Sequence, residues 1–359
     1  MIYADWVQLN VRSLYGTDIK IADKYIIEEC EKGTPIMKKR YIIKDLQSNP
    51  IATIMTHPIP DYIEENTIFI KFENYYLYQY NLDIVIEDFL KENNFTFYAF
   101  TRLDVCHDFN TFNKGLMPRK FIQMALQKQL VKVGDAKASF NGYIGESLDL
   151  NSICFGRPSS SVQAKMYNKS LEMKEVKFKN YIAQSWERRN LDKDHVWRIE
   201  FVLRGNDLRM TDVHTGESYT LKEYGLKILS NENLHRLWCN LQHKYFRWKV
   251  WDGGSNISYM ADFELFNPIL FRNEDFILTI DKRKASVSSR FDKMIIKQMC
   301  KILDEILDNE GYYWNKAANH FKNVIAFNIE RKQLVDWAYK EPAIQDEVIM
   351  SLGTNGDYI

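Results

Sequence analysis

Apolar and polar residues alternate in one short segment after another along the first two thirds of this chain, and a period of two dictates a sheet. The longest such run is FTFYAFTRLDVCHDF at 95–109. Others are RYIIKDL, IATIMTH, NTIFIKFENYYLYQY, AKASFNGYIG, NSICFG, VQAKMYNK and HVWRIEFVLRG, each rich in Ile, Val, Phe, Tyr or Thr. Helical spacing appears between them in NLDIVIEDFLKENN, in MPRKFIQMALQKQL, where Pro118 suits a first helical turn, and in NENLHRLWCNLQHKYF. Strands follow one another through short turns as often as through helices. The pattern therefore predicts an α+β fold, a largely antiparallel central sheet with flanking helices.

Beyond about residue 283 the period changes to three and four, in SVSSRFDKMIIKQMCKILDEILDNEG and WNKAANHFKNVIAFNIERKQLVDWAYK. Two domains are expected in the 359 residues: a sheet domain over 1–282 and a helical C-terminal appendage over 283–359. The opening MIYADWVQLNVRSLYG carries charge where an export signal needs an apolar core, and no stretch approaches the ~20 apolar residues of a membrane helix. A cytoplasmic location without membrane contact is expected. The five cysteines show no paired spacing, which favours reduced thiols over disulfides or a zinc site. Lys plus Arg and Asp plus Glu both number 48, so any affinity for nucleic acid has to come from local charge.

Alternation also sorts chemistry. In TRLDVCHDF it sends Arg102, Asp104, Cys106 and Asp108 to one face and Leu103, Val105, His107 and Phe109 to the other. In HVWRIEFVLRG it places Arg198, Glu200 and Arg204 opposite Trp197, Ile199, Phe201 and Leu203, and in VQAKMYNK it groups Gln163, Lys165, Tyr167 and Lys169. A solvated sheet face with surface ion pairs is the bland reading of each motif alone. If the three faces coincide, carboxylates suited to a hard cation lie beside a tyrosine in a positive field. Such a tyrosine can attack a phosphodiester when its phenolate and the phosphoryl oxygens are both stabilised.

ICFGRPSSSVQAKMYNKSLE, preceded by TRLDVCHDF and followed by HVWRIEFVLR, resembles the replication initiation factor family, the trans-acting rolling-circle initiators of plasmids, phages and integrative elements. The similarity runs from Ala4 to Phe271, with its specific motifs in those three central segments. The resemblance implies a relaxase-like sheet fold and a nickase that forms a 5′-phosphotyrosine to initiate rolling-circle replication or mobilisation. It implies Tyr167 as nucleophile with Lys169 beside it and Asp104 and Glu200 as the matching acids. Taken with the strand faces, this gives the expectation of Mg²⁺ or Mn²⁺ held by Asp104, Asp108 and Glu200, and of DNA contacts from Arg102, Lys165, Arg198 and Arg204. Single-stranded or supercoiled origin DNA is the expected partner in a bacterial cytoplasm, with a host helicase and a second copy of the chain as further candidates. Two departures stand out. Gln163 occupies the position where some members carry an earlier tyrosine, and no His-hydrophobic-His motif exists, His107 being alone and on the opposite face from Asp104. Basic residues exceed acidic ones from Lys165 to Arg209, and WERRN and HKYFRWK interleave cations with aromatics as a strand-binding groove would. The competing functions are an origin-binding protein that does not cut and a metal-dependent nuclease that uses water, with Tyr143 and Tyr181 as the alternative nucleophiles nearest in sequence.

Overall fold

The structure, a computed structural model, describes residues 2–280 apart from 135–136, 145–147, 177, 206–207, 255 and 272–275. The helical appendage expected over 283–359 lies outside the described residues. Sixteen strands are described: β1 Ile2–Ser13, β2 Ile26–Glu29, β3 Met37–Lys44, β4 Pro50–Pro58, β5 Ile68–Phe72, β6 Phe95–Phe109, β7 Leu130–Lys132, β8 Ala138–Ile144, β9 Leu148–Phe155, β10 Val162–Asn168, β11 Trp197–Arg204, β12 Leu208–Asp212, β13 Ser218–Thr220, β14 Trp248–Val250, β15 Asp262–Phe263 and β16 Phe276–Ile280. The helices are α1 Asn74–Leu77, α2 Leu82–Glu92, α3 Pro118–Leu126, α4 Lys169–Glu175, α5 Asn180–Arg188, α6 Leu221–Tyr224 and α7 Asn231–Tyr245.

Ten strands join in one sheet in the order β2-β3-β4-β5-β1-β6-β11-β10-β9-β8, and every pairing in it is antiparallel. The fold is α+β with a large antiparallel central sheet. Two three-stranded sheets, β13-β12-β16 and β15-β14-β7, accompany it.

The apolar faces of β1, β6 and β11, with Leu9, Val105, Ile199 and Phe201, bury in one core cluster with Ile86 and Phe89 of α2 and Leu237 and Trp238 of α7. His107 is 8% exposed on this side, ringed by Phe109, Trp238, Phe266 and Phe271 at centroid distances of 5.1 to 6.0 Å. A second, smaller cluster of Met173, Ile182, Ala183, Trp186 and Val196 is built around α4 and α5.

One segment departs from its alternation. NTIFIKFENYYLYQY reads as a single strand, but β5 ends at Phe72 and the chain turns into α1. The amide of Glu73 still reaches the carbonyl of Ile51, after which Tyr76 and Leu77 bond back to the Glu73 carbonyl. Leu77 is buried while Tyr75 projects at 49% exposure, a helical division of apolar and exposed positions. Closely spaced tyrosines hid that change of period.

Candidate active site on the central sheet

The strands β10, β11, β6 and β1 lie side by side, and their registers bring the sequence motifs together. Lys165 pairs across from Glu200 and Tyr167 from Arg198; Arg198 in turn pairs across from Asp108, and Arg204 from Arg102. On the far side of β6, Trp6 pairs with Asp104 after a register shift between Ala4 and Trp6. The residue inserted there is Asp5. A β-bulge re-aims side chains where it occurs, and here the Asp5 carboxylate reaches 2.8 Å from Nη1 of Arg198, two strands away.

Two groups of side chains result, the first made of two hydrogen-bonded sets that act on each other through charge. In the first, the Tyr167 hydroxyl donates to Glu200 Oε2 at 2.8 Å, while Lys165 Nζ donates to Oε1 at 3.2 Å. Arg102 grips Asp104 bidentately, Nε to Oδ1 at 2.8 Å and Nη2 to Oδ2 at 2.5 Å, and its guanidinium lies 4.2 Å from the Trp6 ring centroid. Asp104 and Glu200 are only 3% and 5% exposed. Burial pushes the Asp104 carboxyl up, the negative charge of Glu200 adds to the rise, and Arg102 offsets only part of it, leaving a pKa of about 7. Tyr167 retains partial surface exposure, yet dense surroundings and the Glu200 charge push its phenol well above the usual value. In this arrangement it is a neutral phenol hydrogen-bonded to a carboxylate.

In the second group Arg198, fully buried, donates Nε to Asp108 Oδ1 at 2.6 Å and Nη2 to Asp108 Oδ2 at 2.9 Å and to the Tyr78 hydroxyl at 2.8 Å. Tyr78 donates to Asp5 Oδ1 at 3.1 Å, and Trp186 Nε1 donates to Asp108 Oδ2 at 2.8 Å. Burial alone would raise Asp108, but the charge and hydrogen bonds of Arg198, with Arg189 and Trp186, hold it well below the carboxylate range. The same balance lowers Asp5, where burial is outweighed by Arg198 and Lys169.

The three expected metal carboxylates are thus divided. Asp104 and Glu200 belong to the tyrosine group; Asp108 has both oxygens taken by Arg198 and Trp186. Arg198, expected to meet DNA, has its guanidinium turned inward and holds four elements together. Arg102, Lys165 and Arg204 keep partial exposure. Lys169 is 2% exposed, bonds at 2.7 Å to Glu172 and stands 5.4 Å from the Tyr167 ring centroid. Its position is fixed by the Asn168 side chain, which caps α4 by accepting from the Leu171 amide at 3.0 Å. Gln163 is buried and donates to Cys154 Sγ at 3.1 Å.

No protein-family model matches this chain, and no curated protein sequence matches it. Among solved structures it is similar to one described as "Structure of Rolling Circle Replication Initiator Protein from Geobacillus stearothermophilus", at 15% identity and a TM-score of 0.46, covering 75% of this chain and 96% of that one.

Among the described residues no group of three or more His, Cys, Asp or Glu side chains converges as a metal cage, and no helix is long and apolar enough to cross a membrane. A magnesium-type ion needs only one or two carboxylates, with water and substrate phosphate completing its shell. Asp104 and Glu200 fit that smaller requirement. They are neighbouring buried acids, one driven toward neutrality partly by the other, and their present partners Arg102 and Lys165 have side chains 27% and 30% exposed. Asp5, Tyr78 and Trp186 were not legible as site residues. The only sequence trace of Asp5 is a break of alternation in YADWV, while Tyr78 and Trp186 reach the site from helical segments whose spacing carries no register.

Proposed function

We propose that this protein cuts and rejoins one strand of origin DNA through a covalent 5′-phosphotyrosine at Tyr167, initiating rolling-circle replication or mobilisation of the element that encodes it. The observation that carries the reading is the 2.8 Å hydrogen bond from the Tyr167 hydroxyl to Glu200, itself braced by Lys165. A general base must sit within about 2.6–3.2 Å of the proton it takes, and Glu200 does. The Tyr167 oxygen attacks the phosphorus as Glu200 accepts its proton. The bond from phosphorus to the upstream 3′ oxygen breaks, and that oxygen leaves as a hydroxyl after protonation from water. The downstream strand stays on the protein through its 5′ phosphate. Arg102, Lys165 and Arg204 provide the cationic side of the site for the non-bridging oxygens. A divalent ion held by Asp104 and Glu200 would polarise the phosphoryl group and lower the cost of the phenolate. The resemblance of the three central motifs to the replication initiation factors supports the assignment of substrate.

An origin-binding protein without cleavage is the second reading. It is favoured by the protein donor already present on each of the four Asp104 and Glu200 oxygens and by the raised phenol of Tyr167. Tyr167→Phe separates the two, since only the attacking oxygen is lost. Nicking of single-stranded DNA in Mn²⁺ should disappear with affinity retained; nicking by the phenylalanine variant would withdraw Tyr167 from the chemistry.

A further inference from the structure

Beside the buried Arg198 lies a cleft of about 560 Å³ that the chemistry above does not use. Its walls come mainly from β1, α1 and α5, with Ile51 of β4 and Asn231 of α7 among the rest, and tyrosine dominates them. Tyr3 stacks on Tyr78 at 4.9 Å, Tyr78 meets Tyr181 edge-on at 5.2 Å, and Tyr181 meets Tyr75 edge-on at 5.9 Å. The rings form a continuous path from the protein interior to Tyr75, which is 49% exposed. The inner hydroxyls are already committed: Tyr3 bonds Ser185 Oγ at 2.6 Å, and Tyr78 bonds Arg198 and Asp5. Those rings are therefore fixed in place and present only their aromatic surfaces. Arg188 and Gln184, both exposed on α5, add a guanidinium and a carboxamide to the lining, and the half-buried Arg189, which donates to the Asp108 carbonyl at 3.0 Å, adds a second guanidinium. The single acid among the lining residues, Asp45, accepts from the Asn49 amide at 2.8 Å and from its side chain at 2.9 Å.

Fixed aromatic faces, an amide and an uncovered guanidinium match the parts of a nucleotide: a base to stack, an edge to hydrogen-bond and a phosphate to neutralise. A volume of this size suits one nucleotide. The cleft also joins the candidate nucleophile by a short route, because Tyr78 bonds Arg198 and Arg198 lies directly across the strand pair from Tyr167. We propose that this cleft holds one unstacked base of single-stranded DNA flanking the scissile phosphate, with the base against Tyr75 and Tyr181 and the backbone phosphate on Arg188. The proposal rests on the reading of Tyr167 as a DNA-cutting residue for its position along the strand, but not for the binding itself.

The test uses the full chain, a fluorescent oligothymidylate of about twenty nucleotides, and variants at the two exposed positions, where folding is not at stake. Tyr75→Ala should weaken binding about tenfold, in line with the loss of one stacked base, and Tyr75→Phe should restore most of it. Arg188→Gln should flatten the dependence of log affinity on log salt by about 0.7, the share of one single-strand phosphate. Parent affinity in Tyr75→Ala, or an unchanged salt slope in Arg188→Gln, would overturn the cleft assignment. So would competition by free thymidine monophosphate as effective as by the strand, which would make this a mononucleotide site. A covalent-adduct assay on the parent protein, run in parallel, keeps the two readings apart. An adduct with no effect of Tyr75→Ala removes the cleft alone, whereas weakened binding with no adduct removes the cutting reaction and leaves the cleft standing.

Discussion

Asp104 is the residue where electrostatics and stability disagree most openly. Its folded pKa of about 7 exceeds the ordinary carboxyl value of 3.8, so between roughly pH 4 and pH 7 the folded protein binds a proton that the unfolded chain has released. This group therefore costs stability as pH rises through that window. Asp5 and Asp108 act with the opposite sign: their lowered values stabilise the fold above the ordinary carboxyl range, and that contribution is lost as pH falls below it. Asp104→Asn should gain stability relative to the parent between pH 5 and pH 8, by an amount on the order of 2 kcal/mol. Chemical unfolding at the two pH values measures it, and a constant difference would show that Asp104 is not ionising against its surroundings. A divalent ion should relieve the same tension. Mn²⁺ should raise the melting temperature of the parent, and both Asp104→Ala and Glu200→Ala should abolish the rise. A full shift in either variant would exclude that carboxylate as a ligand.

Between elements, the decisive contact is Arg198. Its guanidinium ties the β1 bulge through Asp5, the end of β6 through Asp108 and the α1 region through Tyr78, while Trp186 binds α5 to the same carboxylate. Arg198→Met would leave two acids in the interior without their cation, which costs about 3–5 kcal/mol. A loss below about 1 kcal/mol in urea unfolding would mean that the network contributes little. Much of this architecture was legible beforehand. β6 coincides with the run FTFYAFTRLDVCHDF, and alternation groups Arg102 with Asp104, Arg198 with Glu200 and Lys165 with Tyr167 within their strands, because a period of two survives any arrangement of the sheet. That the faces of β10 and β11 coincide is only conditional in the sequence and shows in the hydrogen bonds from Tyr167 and Lys165 to Glu200. Strand order was not legible, since nothing in the sequence says that the first strand enters between β5 and β6. The bulge at Asp5 and the depth of Arg198 follow from that order. For the same reason Arg198 could be placed on the polar face but not recognised as closed to solvent.

On the scale of the whole molecule, a formal net charge of zero means that the proposed affinity for DNA has to come from the site's own cations. Those with exposed surface are Arg102, Lys165 and Arg204; Arg204 has its pKa lowered by burial and by the opposing Arg102, a like-charge pair that an anion would relieve. Neutralising all three to Gln should flatten the salt dependence of single-strand binding by about two units. Lys24→Gln with Lys91→Gln, at exposed lysines paired to Glu92 and Glu87, should leave it unchanged. Titrations over a range of NaCl concentrations distinguish the sets, and equal slopes in all three proteins would detach binding from this face. The most direct test of the account labels the same DNA at either end. Single strands tiled from the sequence flanking the gene are incubated with the protein and Mn²⁺, then run on a denaturing gel. A 5′-phosphotyrosine at Tyr167 predicts that the 3′-end label migrates with the protein, the 5′-end label is released on a shorter fragment, and Tyr167→Phe gives neither. Release of both labels as free fragments, or an adduct that persists in Tyr167→Phe, would contradict it.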